Sequence, residues 1–259
     1  MLGAIIGDII GSRFEFNNVK IKDFELFTEE CEPTDDSIMT LALAKAIMNC
    51  NGDYSQLSKE TVLCMQELGN LYPDADYGGM FYHWLESDNP QPYNSFGNGS
   101  AMRVSPCAFA AKSLDEALTL AKITAEVTHN HPEGIKGAQA VAAAIFMARN
   151  GHTISEISRY VNENFYKIDF TLDSIRKTYR FDVTCQGSVP QALQAFFESV
   201  DFEDAIRNAV SIGGDSDTIA AITGSVAEAY YGIPADIRNE SLKYLDKYLL
   251  QIVETFEMT

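Results

Sequence analysis

Residues 37–52 read SIMTLALAKAIMNCNG, and this stretch decides the fold class. Met39, Ala42, Leu43, Ala46, Ile47 and Cys50 recur at three- and four-residue steps, which places them on one face of a helix, and Asn51-Gly52 supplies the stop. Outward from this run the same period returns. Ser113-Leu-Asp-Glu116 has the capping-box spacing ahead of an Ala/Leu-rich run to Val127, and Thr153-Ile-Ser-Glu156 repeats it ahead of Ile157, Tyr160 and Val161. Lys136 to Arg149 is rich in alanine, the strongest helix former, with Gly151 as the stop. Asp201 can cap Phe202 to Ser211, Thr218 to Tyr231 closes at Gly232 and Pro234, and Ile237 to Phe256 reads as one last helix. No series of alternating β-branched strands occurs. The expectation is an all-α fold of many helices. No linker, repeat or charge block divides it, so residues 1–259 are read as a single domain.

The opening stretch, MLGAIIGDIIGSRFEF, spaces Gly3, Gly7 and Gly11 four residues apart. That spacing stacks the glycines on one helical face and lets another backbone approach closely. A dinucleotide fingerprint would need G-x-G-x-x-G after a strand, and neither is present. The stretch is too short to span a membrane and carries no basic leader, which points to a cytoplasmic protein.

Composition narrows the function classes. The 259 residues hold 19 Lys and Arg against 37 Asp and Glu, a formal charge of −18. That balance disfavours nucleic-acid and anionic-membrane partners, whose phosphates are gripped mainly by Lys and Arg. Hydrophobic residues make up 46%, too many for a disordered chain. Five cysteines at 31, 50, 64, 107 and 185 form no Cys-x-x-Cys pair and match no zinc spacing, so reduced thiols are expected.

Two acidic clusters stand at predicted helix starts: Thr34-Asp35-Asp36-Ser37 and Asp215-Ser216-Asp217-Thr218, the latter after Gly213-Gly214. Such residues suit N-caps and the helix dipole. Each cluster nevertheless holds more carboxylates than capping uses. Two carboxylates with a hydroxyl also form the hard oxygen set that suits Mg²⁺, Mn²⁺ or Ca²⁺. Glu15 reads locally as surface or as a partner of Arg13. The run Asn94-Ser-Phe-Gly-Asn-Gly-Ser100 reads either as a tight surface turn or as a nest of backbone N–H groups for phosphate, its glycines and asparagines allowing positive φ. In Thr128-His-Asn-His-Pro-Glu133 no third zinc ligand follows at a familiar spacing, so one hydrogen-bonding histidine is the better reading.

Taken in order, GAIIGDIIGSRFE, PTDDSIM, SFGNGSAMRVSP, THNHPEGIKGA and GGDSDTIAAITGSVAEAYYGIP resemble the ADP-ribosylglycohydrolase family, from Gly3 to Pro234, with SVPQAL at Ser188–Leu193 as a further family-like segment. The resemblance implies an all-helical domain with a two-magnesium centre, Mn²⁺ being a possible substitute. Thr34, Asp35 and Asp36 would hold one side of the metal pair, and Asp215, Asp217 and Thr218 the other. Glu15 matches the family's glutamate near the metals, and Glu15, Asp35 or Asp36 would carry the proton. Ser95, Phe96, Gly97, Asn98 and Gly99 match the loop that binds the diphosphate and proximal ribose, and His129 matches a ribose-side contact. Tyr179 and Phe181 are open candidates for the adenine partner, and residues 51–91 for leaving-group specificity. The implied activity is Mg²⁺-dependent hydrolysis of the bond between ADP-ribose and a modified side chain or small conjugate, by a monomer. The alternatives are a di-metal phosphohydrolase acting on a nucleotide diphosphate and a catalytically inactive binding or structural member of the fold.

Overall fold

A computed structural model describes residues 1–258. In chain order its helices are α1 (Leu2–Ser12), α2 (Asp35–Asn49), α3 (Leu57–Leu71), α4 (Gly79–Leu85), α5 (Gly99–Met102), α6 (Ser105–Ala110), α7 (Leu114–Glu126), α8 (Pro132–Arg149), α9 (Ile154–Asn164), α10 (Leu172–Ile175), α11 (Cys185–Phe197), α12 (Phe202–Ser211), α13 (Ser216–Tyr231), α14 (Ala235–Ser241) and α15 (Lys247–Glu257). Among the described residues no strand forms. The one sheet-like contact is an antiparallel bridge between Gly97 and Thr184. The all-α expectation holds.

The predicted caps form where the side chains can reach. Thr153 and Glu156 close a full capping box on α9, and Asp201 accepts from the Asp204 amide to start α12. Ser113 accepts from the Glu116 amide, but Glu116 reaches back to the Lys112 amide instead of the cap's own, so that box is offset by one residue. The helix expected from Lys136 begins earlier, at Pro132, because His131 Nδ1 accepts from the Glu133 amide and proline is tolerated in a first turn. The run from Ile237 to Phe256 is not one helix. It breaks after Tyr244, where Leu245 is extended and Asp246 accepts from the Tyr248 and Leu249 amides to cap α15 afresh. A short carboxylate in mid-run competes with the helix for its own backbone. Helices α3, α4 and α11 were not evident from the pattern.

Helix α13 is the axle. It is buried continuously from Ser216 to Ala227 and packs on α1, α8, α11 and α12. A helix buried on all sides needs small residues where neighbours cross, and here α1 supplies them. A Cβ on Gly3 or Gly7 would collide with the carbonyls of Gly224 and Ala220, and one on Gly11 would stand 2.6 Å from Asp217 Cα. The glycine face is therefore a packing surface, as its spacing predicts. It also lays α1 along the start of α13, beside Asp217.

Gly7→Ala should force α1 away from α13 and cost about 3 kcal/mol, a loss of roughly 6–12 °C in Tm for a chain of this size. Gly78→Ala, where nothing stands within 4 Å of the added carbon, should change Tm little. Thermal unfolding followed by circular dichroism checks the pair. Equal melting of the two variants would mean that the helix contact is looser than described.

Candidate functional site

The first helix start is organised by a residue outside both acidic clusters. Asp8 on α1 is fully buried, and its carboxylate accepts from the Thr34 amide at 2.9 Å, Thr34 Oγ1 at 2.7 Å, the Ser37 amide at 3.0 Å and Ser37 Oγ. Asp8 thus caps α2 from a neighbouring helix and satisfies amides that a helix start leaves open. Thr34 adds a weaker cap on Asp36, at 3.4 Å. With their backbone needs met, Asp35 and Asp36 are free to face the cleft.

The second start follows Gly213 and Gly214, at φ +63° and +83°, a left-handed turn that side chains other than glycine resist. Asn18 clamps the turn, accepting from the Gly214 amide at 2.7 Å and donating to the Gly214 carbonyl at 2.9 Å. Asp215 then begins α13 without using its carboxylate as a cap.

The two starts converge. Thr218 Oγ1 donates to Asp36 Oδ2 at 3.0 Å, joining α13 to α2. Carboxylate oxygens of Asp8, Asp36 and Asp217 lie within 4.8 Å of one another, as do those of Glu15, Asp215 and Asp217. Asp8 is the least suited of these to a cation, because its lone pairs are already filled by four donors. Asp36 Oδ1 is the opposite case, buried with no partner. An orphaned carboxylate oxygen in an all-oxygen cluster fits a hard divalent cation.

Burial raises every carboxyl of the cluster, and neighbouring negative charge adds to it at Glu15, Asp35, Asp36 and Asp217. Burial, then the charges of neighbouring aspartates, hold Asp35, Asp36 and Asp217 well above the ordinary range. Burial also raises Asp215, against the hydrogen bond from Asn98. Glu15 is pushed up to about 7 by burial and by Asp215, Asp76 and Asp8. Asp8 is pushed up to about 6 by burial, against its hydrogen bonds. No Arg13–Glu15 pair forms; Arg13 instead donates to the Glu25 carbonyl and lies over Phe14.

Glu15, Asp35, Asp36, Asp215, Asp217 and Thr218 line a cleft of about 490 Å³ together with Ser95, Phe96, Gly97, Asn98, Gly99 and His129, whereas Asp8 and Thr34 are not among its lining residues. The loop is held from both sides. Asn130 Oδ1 accepts from the Asn94 amide at 2.8 Å, the Asn98 amide donates to the Val183 carbonyl at 2.8 Å, and Asn98 Nδ2 donates to Asp215 at 2.6 Å. The expected positive-φ nest is corrected here. Gly97 and Gly99 are not left-handed; Asn94, at φ +56°, is the loop residue that is. The Gly97 and Asn98 amides are already bonded, to Ser95 Oγ and to Val183. The glycines serve close approach instead, since a Cβ on Gly99 would lie 3.2 Å from His129 Nε2.

The cleft also gathers residues that pattern reading did not single out: Asp76, Met80, Phe81, Tyr93, Arg103 and Phe16. Phe16 and Phe181 stack at its mouth with centroids 6.2 Å apart. Of the two adenine candidates, Phe181 lines the cleft, whereas Tyr179 packs behind Gly214 and donates to the Gly187 carbonyl. Of residues 51–91, only the stretch from Asp76 to Phe81 reaches the cleft. Phe81 stacks on Trp84, the sole tryptophan, which is buried. A larger cavity of about 700 Å³ lies elsewhere, but its two carboxylates, Glu228 and Glu257, are already paired with the terminal ammonium and Arg238.

Comparison with known proteins gives the family and the fold. A family model described as ADP-ribosylglycohydrolase matches residues 1–258. The human ADP-ribosylhydrolase ARH3 is 25% identical over 312 residues, covering 90% of this chain and 84% of its own. The ADP-ribosylarginine hydrolase Tri1 of Pseudomonas putida (strain GB-1) is 29% identical over 272 residues, covering 90% of this chain and 70% of its own. Its namesake in Serratia proteamaculans (strain 568) is 27% identical, with 97% and 74% covered. A solved structure described as an ADP-ribosylglycohydrolase-related protein complex shares the fold, with a TM-score of 0.72 at 23% identity over 98% of this chain and 94% of that one.

The raised carboxyls dictate how stability responds to pH. Each binds its proton more tightly in the folded chain than in the unfolded one, so the folded state holds more protons from about pH 4 upward. Stability of the cation-free protein must fall as pH rises through the folded values, about 6 for Asp8 and about 7 for Glu15. Chelator-treated protein should melt higher at about pH 5 than at about pH 7.5. At the higher pH, Mg²⁺ at about 100 times its Kd should restore about 2.7 kcal/mol, roughly 5–10 °C. Asp217→Asn should flatten both responses. A Tm indifferent to pH and to Mg²⁺ in differential scanning calorimetry would rule out the cation-binding reading.

Proposed function

The chain belongs to the ADP-ribosylglycohydrolase family, whose named relatives are glycosidic hydrolases, and on that premise we propose that it releases ADP-ribose from a modified protein side chain or small conjugate with two Mg²⁺ ions, Mn²⁺ being a workable substitute. One observation carries the reading. Asp35, Asp36, Asp215, Asp217 and Thr218, brought from two helix starts, meet in one cleft with the 95–99 loop and His129.

In this reading Thr34, Asp35 and Asp36 hold the cations from α2, and Asp215, Asp217 and Thr218 hold them from α13. Bound there, divalent cations offset the carboxylate charge, orient ribose hydroxyls and lower the pKa of water. Glu15 is the proton carrier: it is half-buried, sits at the cleft edge and is poised near neutrality. As the glycosidic bond breaks through an oxocarbenium-like state, its electron pair leaves with the conjugate. Water adds its oxygen to the anomeric carbon and gives its proton to Glu15, which passes that proton on to the departing group and is restored as the carboxylate. Asp36, whose Oδ2 accepts from the Thr218 hydroxyl, serves as a ligand, and Asp35 is read as a ligand beside it. Ser95, Phe96, Gly97 and Gly99 line the place for the diphosphate and proximal ribose, with His129 against the ribose. Asn98 acts through Asp215, linking the loop to the cation wall.

The ligand's charge is consistent with this wall. ADP-ribose is a dianion, and in a chain of charge −18 it needs cations and fixed donors. We also propose a monomeric cytoplasmic enzyme: all five cysteines are buried and unpaired, which suits a reducing compartment. Among the described residues no helix is long and apolar enough to cross a membrane.

ADP-ribosyl-arginine peptide is the first conjugate to assay, given the two Tri1 relatives. Asp36→Ala and Asp217→Ala should abolish turnover and Mg²⁺ binding together while the helical spectrum survives. Glu15→Gln should lower kcat about 10²–10⁴-fold with product affinity retained. Chromatography of the products decides the reaction class: intact ADP-ribose supports the reading, and AMP in its place would make the chain a phosphohydrolase.

A further inference from the structure

The only Lys or Arg among the residues lining the cleft is Arg103, and it is buried to 1% exposure without an ion pair. Nη1 donates to the Gly99 carbonyl at 2.7 Å and Nη2 to Thr128 Oγ1 at 2.8 Å, and the guanidinium stands 6.0 Å from the Phe81 ring centre. Thr128 is itself fully buried, and its Oγ1 lies 2.7 Å from His129 Nδ1.

Donor arithmetic fixes the direction of this chain. A guanidinium can only donate, so the Thr128 oxygen accepts from Arg103, and its single proton remains for His129 Nδ1. In the reverse assignment Nδ1 would carry the proton. The threonine oxygen would then face two donors while its own proton lacked an acceptor in a buried site, a costly arrangement. Nδ1 is therefore the acceptor, and the ring proton sits on Nε2. Nothing in the fold takes that proton. Nε2 instead faces the two loop glycines, where an added Cβ would lie 3.2 Å away at Gly99 and 3.5 Å away at Gly97.

We infer that Arg103 and Thr128 are positioning residues that hold His129 as the uncharged Nε2–H tautomer, a fixed hydrogen-bond donor aimed between Gly97 and Gly99 at an oxygen of the bound ligand. The identity of that ligand rests on the ADP-ribose reading; the tautomer does not. Burial and the Arg103 charge also hold the imidazole well below its usual pKa, and Tyr93, whose ring centre lies 6.0 Å away, is itself pushed up to about 12. Neither neighbour supplies a charge that would favour imidazolium. His129 is thus a donor and not a base, and glycine at 97 and 99 leaves the space into which it donates.

The test uses the full chain with ¹⁵N-labelled histidine and long-range ¹H–¹⁵N correlation spectra. The wild type should show His129 with a protonated Nε2 and a bare Nδ1, unchanged between about pH 5.5 and 8, where a free histidine titrates. Thr128→Val keeps the shape and removes the relay. It should mix the tautomers and weaken ADP-ribose binding about tenfold in calorimetry, while Thr128→Ser keeps both near wild type. A wild-type ring that is protonated on Nδ1 or titrates in this range would overturn the inference, as would a folded Thr128→Val that binds like wild type. If Thr128→Val does not fold, the wild-type spectrum alone decides the tautomer. Absence of ADP-ribose binding by the wild type with Mg²⁺, alongside the stated tautomer, would support the relay and overturn the ligand reading.

Discussion

The contact between the glycine face of α1 and the backbone of α13 sets the separation of two buried helices, and the cleft floor inherits its dimensions from that separation. With Gly7 against Ala220 and Gly11 against Asp217, there is no side chain between the helices to adjust their spacing. The same helix that makes this contact carries Asp8, whose carboxylate receives the first amides of α2. One apolar packing surface therefore aligns two helix starts, and the alignment assembles the oxygen cluster. Packing and chemistry share a helix because both need the distance to be fixed.

The cluster is a stability burden that the fold accepts. Burial, and after it the repulsion between carboxyls this close, holds their pKa values up. Asp8 shows how part of the strain is relieved: four hydrogen bonds stand in for water around one charge. Asp36 and Asp217 lack such a shell, so a divalent cation is what the remaining oxygens call for. Arg103 is the mirror case, a buried cation that donates to a carbonyl and a hydroxyl while its Nε has no partner.

The helical fold class was legible because its signals are local. Periodicity along 37–52, caps at Thr153 and Asp201, and glycine stops each act within a few residues. The acidic clusters and the 94–100 loop were legible as candidates for the same reason. What escaped is what depends on distance. Asp8 looks like a flaw in an apolar helix until α2 is placed beside it; the clue was that a carboxylate in a fully buried stretch must have partners. Asp76 belongs to no motif, Arg103 sits unremarked within the 95–106 segment, and only the cleft unites them with Glu15 and His129. The loop glycines were correctly located but given the wrong cause, since glycine composition alone does not separate left-handed backbone from close approach. The false continuity of Ile237 to Phe256 arose because apolar residues recur at helical spacing on both sides of the break before Asp246.

The stack of Phe81 on Trp84 gives the molecule an optical gauge of its own. The chain has a single indole, it is buried, and one ring separates it from the cleft. Indole emission responds to the packing and polarity of its immediate surroundings, so a guest that shifts Phe81 is reported without any attached dye. With no second tryptophan to dilute the signal, occupancy of the cleft can be read by fluorescence from the unmodified chain.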